Sequence, residues 1–223
     1  MIITIKNVLS PTTIQQVQGL LQNANFVDGQ LSAGSSASAV KHNEELSLQS
    51  PLHQQLNSLV MAELVKHPQY QAAVLPVKVA TAFYSRYSVG MSYGAHVDDA
   101  IMGPLSGRYR TDISSTLFLN SPDEYKGGEL RIHDADGYKS IKLNAGDAVI
   151  YPSGSLHEVT EVSRGYRLVA VSWAQSLVKS NEQREVLCDL STLRESLSAS
   201  TNQTELLKLD QTYNKLLRMW SEL

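Results

Sequence analysis

Three side chains in this 223-residue chain have the types that hold a divalent metal: His96, Asp98 and the distant His157. In an extended segment, side chains two positions apart project to one side, so His96 and Asp98 can offer an imidazole and a carboxylate to a single ion. A third ligand from a neighbouring strand completes one face of an octahedron. The opposite face stays open for substrate and oxygen, the arrangement of non-haem Fe(II) centres. A His-x-Asp pair is common by chance, so the case depends on its surroundings. Ten residues after His157, Arg167 begins the run Arg167-Leu-Val-Ala-Val-Ser-Trp173. A guanidinium on the inward face of that strand can grip a carboxylate through two parallel charge-assisted hydrogen bonds. A diacid could then chelate the metal at one end and meet Arg167 at the other, a description that 2-oxoglutarate fits.

The elements that must position these groups follow from the residue pattern. From about Val77 to Trp173, short β-rich runs (77–84, 114–120, 128–133, 148–151 and 167–173) alternate with Gly, Asp, Asn and Pro, which predicts an antiparallel sandwich or barrel. Ahead of it, Ile3 and Ile5 share one face of a strand. Ser10-Pro11 then starts a helix carrying Ile14, Val17, Leu20 and Leu21, and Ser50-Pro51 starts another with Leu52, Leu56, Leu59, Val60 and Leu64. Residues 28–38, rich in Gly, Ser and Ala, read as a loop. After Trp173, Ser180 and Gln183 have capping-box spacing before a stripe from Val186 to Leu197. A break at 198–202 precedes a last helix with Leu206, Leu209, Tyr213, Leu216, Leu217 and Trp220. Those terminal helices either pack on the sheet or provide a homo-oligomer contact.

Composition excludes several classes. The chain is 42% hydrophobic and 18% charged with a net charge of −3, enough for a core and without a global basic field for nucleic acid. The single Cys188 excludes an internal disulfide and a cysteine-rich zinc site. The first residues lack signal-peptide features, and no apolar run approaches the roughly 20 residues that span a bilayer. The expectation is a soluble, cytoplasmic protein with no membrane partner.

The stretch from Tyr87 through Gly90 and Tyr93 to His96 and Asp98 is followed by Leu117-Phe-Leu-Asn120, Gly127-Gly-Glu-Leu130, Asn144-Ala-Gly-Asp147, His157-Glu-Val and Arg167. In order and spacing this resembles the prolyl 4-hydroxylase-like 2-oxoglutarate/Fe(II)-dependent dioxygenases over residues 80–175. Asp28-Gly29, Ala33-Gly34, Lys41 and Asn43 resemble the segment typical of bacterial PKHD-type hydroxylases.

The resemblance implies an α+β, mainly β fold: a double-stranded β-helix (jelly roll) core at 77–177, with N-terminal supporting helices at 1–76 and a C-terminal helical extension at 178–223. It makes His96, Asp98 and His157 the ligands of Fe(2+), Arg167 the group for the distal carboxylate of 2-oxoglutarate, and Tyr87 a neighbour of that cosubstrate. It further implies oxidative decarboxylation coupled to hydroxylation by O2 of a small-molecule or peptide substrate, L-ascorbate keeping the iron ferrous, and a link to iron uptake. The chain departs from many prolyl hydroxylases at Arg167, where they carry lysine. It departs again at Leu117, where some relatives have a second tyrosine.

Other groups carry weaker signals. His133 reads as exposed rather than ligating, and His42, His53 and His67 have no ligand spacing. Arg108, Arg110 and Asp112 either shape a substrate entrance or form a solvated strand end. The rival functional reading is a cupin-like metal-binding protein or isomerase without 2-oxoglutarate chemistry, followed by a catalytically silent jelly roll.

Overall fold

In the computed structural model, which describes residues 1–32, 34–197 and 202–222, the chain begins with β1 (Ile3–Ile5), α1 (Pro11–Gln22) and β2 (Phe26–Asp28). A 3-10 turn (Gly29–Ser32) and the short α2 (Ser35–Ser38) lead to β3 (Lys41–His42), β4 (Glu44–Leu46), α3 (Leu52–Lys66) and α4 (Pro68–Val74). Next come β5 (Pro76–Val79), β6 (Phe83–Tyr87), β7 (Ser92–His96), β8 (Ile101–Met102), β9 (Tyr109–Arg110) and β10 (Ile113–Phe118). The remaining strands are β11 (Lys126–Gly127), β12 (Leu130–Asp134), β13 (Gly137–Ile141), β14 (Ala148–Pro152), β15 (His157–Val159), β16 (Val162–Arg164) and β17 (Arg167–Ser176). Two helices, α5 (Asn181–Leu197) and α6 (Gln203–Trp220), complete the order.

Local signals account for most boundaries. Ser10 caps α1 by accepting from the Thr13 N–H, with Pro11 in the first turn. At Ser50-Pro51 the helix begins at Leu52 with Pro51 in the cap position, and the Ser50 hydroxyl accepts from the Leu52 N–H at 3.3 Å. Ser180 Oγ accepts from the Gln183 N–H at 3.2 Å ahead of α5. The stretch at 28–38 holds a 3-10 turn and α2 where a loop was expected, with Ala33 outside the described residues. Of the break at 198–202 only Asn202 is described, and it caps α6 through the Thr204 N–H.

β8-β9 and β11-β16 are separate two-stranded pairs, and the other strands form two facing antiparallel sheets. The larger runs β1-β14-β10-β17-β6-β4-β2, with β5 also on β17, and the smaller runs β13-β12-β15-β7-β3. This is a jelly roll. The expected run 77–84 divides because β5 pairs the far end of β17 (Val79 opposite Ala174) while β6 pairs the near end (Tyr87 opposite Arg167). Residues 1–76 contribute β1, β2 and β4 to the larger sheet and β3 to the smaller, in addition to the helices.

The central strands of the larger sheet are buried on both faces, so alternation sorts their residues by neighbour rather than by exposure. Ile113 and Leu117 of β10, Ala148 and Ile150 of β14, and Leu168, Ala170 and Ala174 of β17 join Val17, Leu56, Val60, Leu64 and Tyr70 in the layer beneath the helices. Each large apolar side chain buried there contributes about 1.5–3 kcal/mol. Phe118, Val149, Tyr151 and Val169 face the smaller sheet and meet Leu130, Ile132 and Val159. Leu117 therefore points away from the interior of the jelly roll.

The C-terminal helices hold to the core by packing of α5 on α4 and by charged contacts, one of them between the Met1 ammonium and Glu185 of α5 at 3.7 Å. Arg110 Nε binds Asp112 at 2.6 Å and its Nη1 reaches Glu222, just beyond α6, at 3.2 Å. Asp112 also accepts from the Ser176 N–H at 2.8 Å. Arg110 and Asp112 thus anchor the C-terminal end to the sheet, and Arg108 is exposed. Among the described residues no helix is long and apolar enough to cross a membrane.

Candidate active site

His96 and His157 face each other directly across the β7/β15 pair, and Asp98 lies two residues past the end of β7. Their ligand atoms all fall within 4.8 Å of one another. Asp98 Oδ1 sits 4.0 Å from His96 Nε2 and 3.8 Å from His157 Nε2, and the two rings are 4.2 Å apart at 50°.

The free atoms of this trio are selected by what the other atoms bind. His96 Nδ1 lies 2.8 Å from the Gly94 carbonyl and His157 Nδ1 lies 2.9 Å from the Ser155 carbonyl. Each contact uses the residue two positions earlier and leaves Nε2 directed at the shared centre, the orientation that metal-binding histidines need. Asp98 Oδ2 accepts from Ser114 Oγ at 2.5 Å and from Trp173 Nε1 at 2.8 Å, so Oδ1 remains for the centre. Ser153 continues the chain, 2.8 Å from Ser114. Burial first, and then the neighbouring His157, lower the His96 pKa to about 4, which keeps a neutral donor available at pH 7. The Tyr93 ring stacks on His96 at 3.6 Å and 15°, fixing the plane of the imidazole.

Arg167 is 1% exposed and opens β17 directly opposite Tyr87. Asn120 brackets it: its Nδ2 donates to the Tyr166 carbonyl at 2.7 Å and its Oδ1 accepts from the Leu168 N–H at 2.9 Å. The guanidinium lies 5.0 Å from the Tyr87 ring and 5.5 Å from Phe118. Gly128, at φ 67, gives it room, because a Cβ there would stand 3.2 Å from Arg167 Cδ. Arg167 Nε has no hydrogen-bond partner, and no carboxylate among the described residues pairs with the guanidinium. A buried cation without an anion is strongly unfavourable, so the arrangement fits a carboxylate ligand. Burial pushes the Tyr87 hydroxyl up to about 12, with the Arg167 charge acting in the opposite direction, so Tyr87 is a neutral phenol beside it.

One cavity of about 110 Å³ contains His96, Asp98, His157, Tyr87 and Arg167. It thereby brings together all five residues singled out from the sequence. Two further groups on its wall escaped the sequence reading as site residues. Lys41 and Glu45 form an ion pair at 2.6 Å with both side chains 7% exposed. Ser32 bonds Glu45 at 2.5 Å and accepts from Lys41 at 2.9 Å. Their i,i+4 spacing resembles an ordinary surface pair; only the turn between β3 and β4 carries it inside.

The remaining histidines lie elsewhere. His133 is on the outer side of β12, 3.9 Å from Glu158, which Arg131 also binds at 3.3 Å. His53 packs beside Tyr84, and His67 precedes α4.

Comparison with known proteins agrees with this geometry. The 2OG-Fe(II) oxygenase superfamily matches residues 82–175. A PKHD-type hydroxylase of Gloeothece citriformis is 43% identical over 223 residues, covering all of both chains, and one of Acaryochloris marina is 44% identical with the same coverage. A Pseudomonas putida prolyl-4-hydroxylase shares the fold at TM-score 0.56 and 18% identity, over 78% of this chain and 92% of that one. A viral collagen prolyl hydroxylase from Paramecium Bursaria Chlorella virus-1, solved with 2OG, does so at TM-score 0.53 and 14% identity, over 78% and 96%. The fold and the family match define a 2-oxoglutarate- and Fe(II)-dependent dioxygenase, which couples decarboxylation of 2-oxoglutarate to hydroxylation of a substrate. Within that class the chain belongs to the PKHD-type hydroxylases.

Proposed function

We propose that His96 Nε2, His157 Nε2 and Asp98 Oδ1 hold Fe(II), and that Arg167 binds the distal carboxylate of 2-oxoglutarate beside Tyr87. The observation that carries this reading is Arg167, 1% exposed and without a carboxylate partner among the described residues, in the same cavity as three converging ligand atoms. When bound, the iron and cosubstrate supply the oxidising chemistry that inserts oxygen into a C–H bond.

The protein's own residues orient and exclude. The Gly94 and Ser155 carbonyls fix the imidazoles, while Ser114 and Trp173 hold one oxygen of Asp98 so that the other is presented. Arg167 sets the position of the diacid without reacting. Phe83, against Trp173 at 5.6 Å, together with Val171 and Leu130, keeps bulk water from the centre.

The domain division carries the same proposal: a jelly-roll core at 77–177, braced by residues 1–76 and extended by 178–223. The reading includes L-ascorbate as the reductant that maintains ferrous iron, a cytoplasmic location, a hydroxylated product connected to iron uptake, and self-association through α5 and α6. The apolar Val186, Leu193, Leu207 and Met219, exposed on those helices, support the last of these.

Succinate release tests the reaction. Protein supplied with Fe(II), 2-oxoglutarate and O2 should form succinate at a rate that rises with a true substrate. Failure to consume 2-oxoglutarate under any condition would overturn the reading in favour of a metal-binding module.

A further inference from the structure

The ionisable side chains on the cavity wall can be sorted by partner. His96, Asp98 and His157 converge on one centre, Arg167 faces the cosubstrate, and Lys41 and Glu45 neutralise each other at 2.6 Å. Asp99 remains. It lines the same cavity at the exposed mouth, and no cationic side chain among the described residues lies within ion-pair distance of its carboxylate.

Asp99 is held in place from two sides. Thr111 Oγ1 donates to its backbone carbonyl at 2.5 Å, and the Thr111 N–H bonds the Ala100 carbonyl at 3.0 Å. Across the mouth its carboxylate lies over Gly34, at the start of α2, where a Cβ would stand 2.7 Å from Oδ2. A side chain at Gly34 would push the Asp99 carboxylate aside. The surrounding wall is apolar: Ala37, Val97 and Met102 line the cavity with it, and Val97 is 48% exposed.

The charges of the loaded site sharpen the point. Asp98 and Glu45 offset Lys41 and Arg167, and the 2+ metal offsets the dianionic cosubstrate. Among the described residues, Asp99 is then the charge on the cavity wall without a counter-charge. It is fixed in sequence beside Asp98, at a solvent-exposed mouth where Val97 is an apolar neighbour two residues back along the chain.

We infer that Asp99 is a specificity-determining residue that binds a cationic group, a protonated amine or guanidinium, on a substrate whose remaining contact surface is apolar. This rests on the reading of the cavity as a 2-oxoglutarate site that the substrate enters through this mouth. The cationic group docks at Asp99 while a neighbouring C–H bond is presented to the metal centre beside Asp98.

The test uses anaerobic protein loaded with Fe(II) and 2-oxoglutarate, titrated calorimetrically with two probes of equal side-chain length: N-acetyl-lysine N-methylamide and its neutral isostere, the N-acetyl N-methylamide of 2-aminoheptanoic acid. The native protein should favour the lysine probe by up to roughly fivefold, as expected for one exposed ion pair. That preference should shrink in 0.5 M NaCl by screening. It should vanish in Asp99→Asn and survive in part in Asp99→Glu. The 2-oxoglutarate affinity of each variant reports whether the site is intact. Native protein that binds 2-oxoglutarate but shows no preference for the lysine probe, or a preference retained in Asp99→Asn, overturns the role of Asp99 alone. Native protein that fails to bind 2-oxoglutarate overturns the underlying reading as well.

Discussion

Strand β17 has two faces drawn from one run of residues, and they are built on opposite principles. Leu168, Ala170 and Ala174 pack beneath the helices among apolar neighbours. Arg167, Val171 and Trp173 line the cavity, one as a cation without an anion and one donating to Asp98 at 2.8 Å. The helix-facing side gains stability in proportion to the apolar area it buries, whereas Val171 and Trp173 on the cavity side stay half-buried. The cavity face keeps polar groups, some matched to one another and Arg167 without a carboxylate partner among the described residues. Substitutions on the two faces should therefore separate into losses of stability and losses of binding.

The sharpest way to break this contrast is Asp98→Ala. It removes a metal donor and should lower Fe(II) affinity by more than the roughly 10–100-fold typical of outer partners, measured by calorimetry. Arg167→Ala should follow, weakening 2-oxoglutarate by about 100-fold, in line with the 2–5 kcal/mol lost on truncating one side of a buried charge contact. Its metal affinity should hold; equal loss of both would point to a damaged fold. On the opposite face, Leu117→Ala should cost about 2–4 kcal/mol in denaturant unfolding and leave both affinities unchanged.

Acid should also distinguish the faces. His96 is held near 4 when folded against 6.5 in the reference state, so the unfolded chain takes up that proton first as pH falls. The stability of metal-free protein should be complete above about pH 6.5 and drop by roughly 2–3 kcal/mol toward pH 4, and His96→Gln should flatten that slope. The smallest effect belongs to Trp173→Phe. It removes the indole donor and retains the bulk, and it should lower metal affinity about tenfold.

What the sequence disclosed and what it hid have physical causes. His96 and Asp98 were legible because two-residue spacing in an extended segment is a local property, and Ser10-Pro11 because a cap is local too. The brackets around the site are long-range. Ser114 and Trp173 reach Asp98 only because β10 and β17 pair in a register that places them opposite each other. Lys41 and Glu45 look like a solvated pair until β3 joins β7 and β4 joins β6. The segment at 28–38 is tied down by a long-range contact that its composition does not show: the Gly29 N–H bonds the Asn43 carbonyl at 2.9 Å, and a Cβ at Gly29 would collide with Asn43. Leu117, the departure from some relatives, does not line the pocket because alternation turns it toward the helices.

The central claim is that one cavity joins a metal at His96, Asp98 and His157 to a diacid at Arg167. Anaerobic addition of Fe(II) and 2-oxoglutarate tests it most directly, through the visible metal-to-ligand charge-transfer band that appears when the cosubstrate chelates the iron. The account predicts that band in the native protein, its loss in Asp98→Ala, and its recovery in Arg167→Ala only at much higher 2-oxoglutarate. A band that persists unchanged in Asp98→Ala would contradict it.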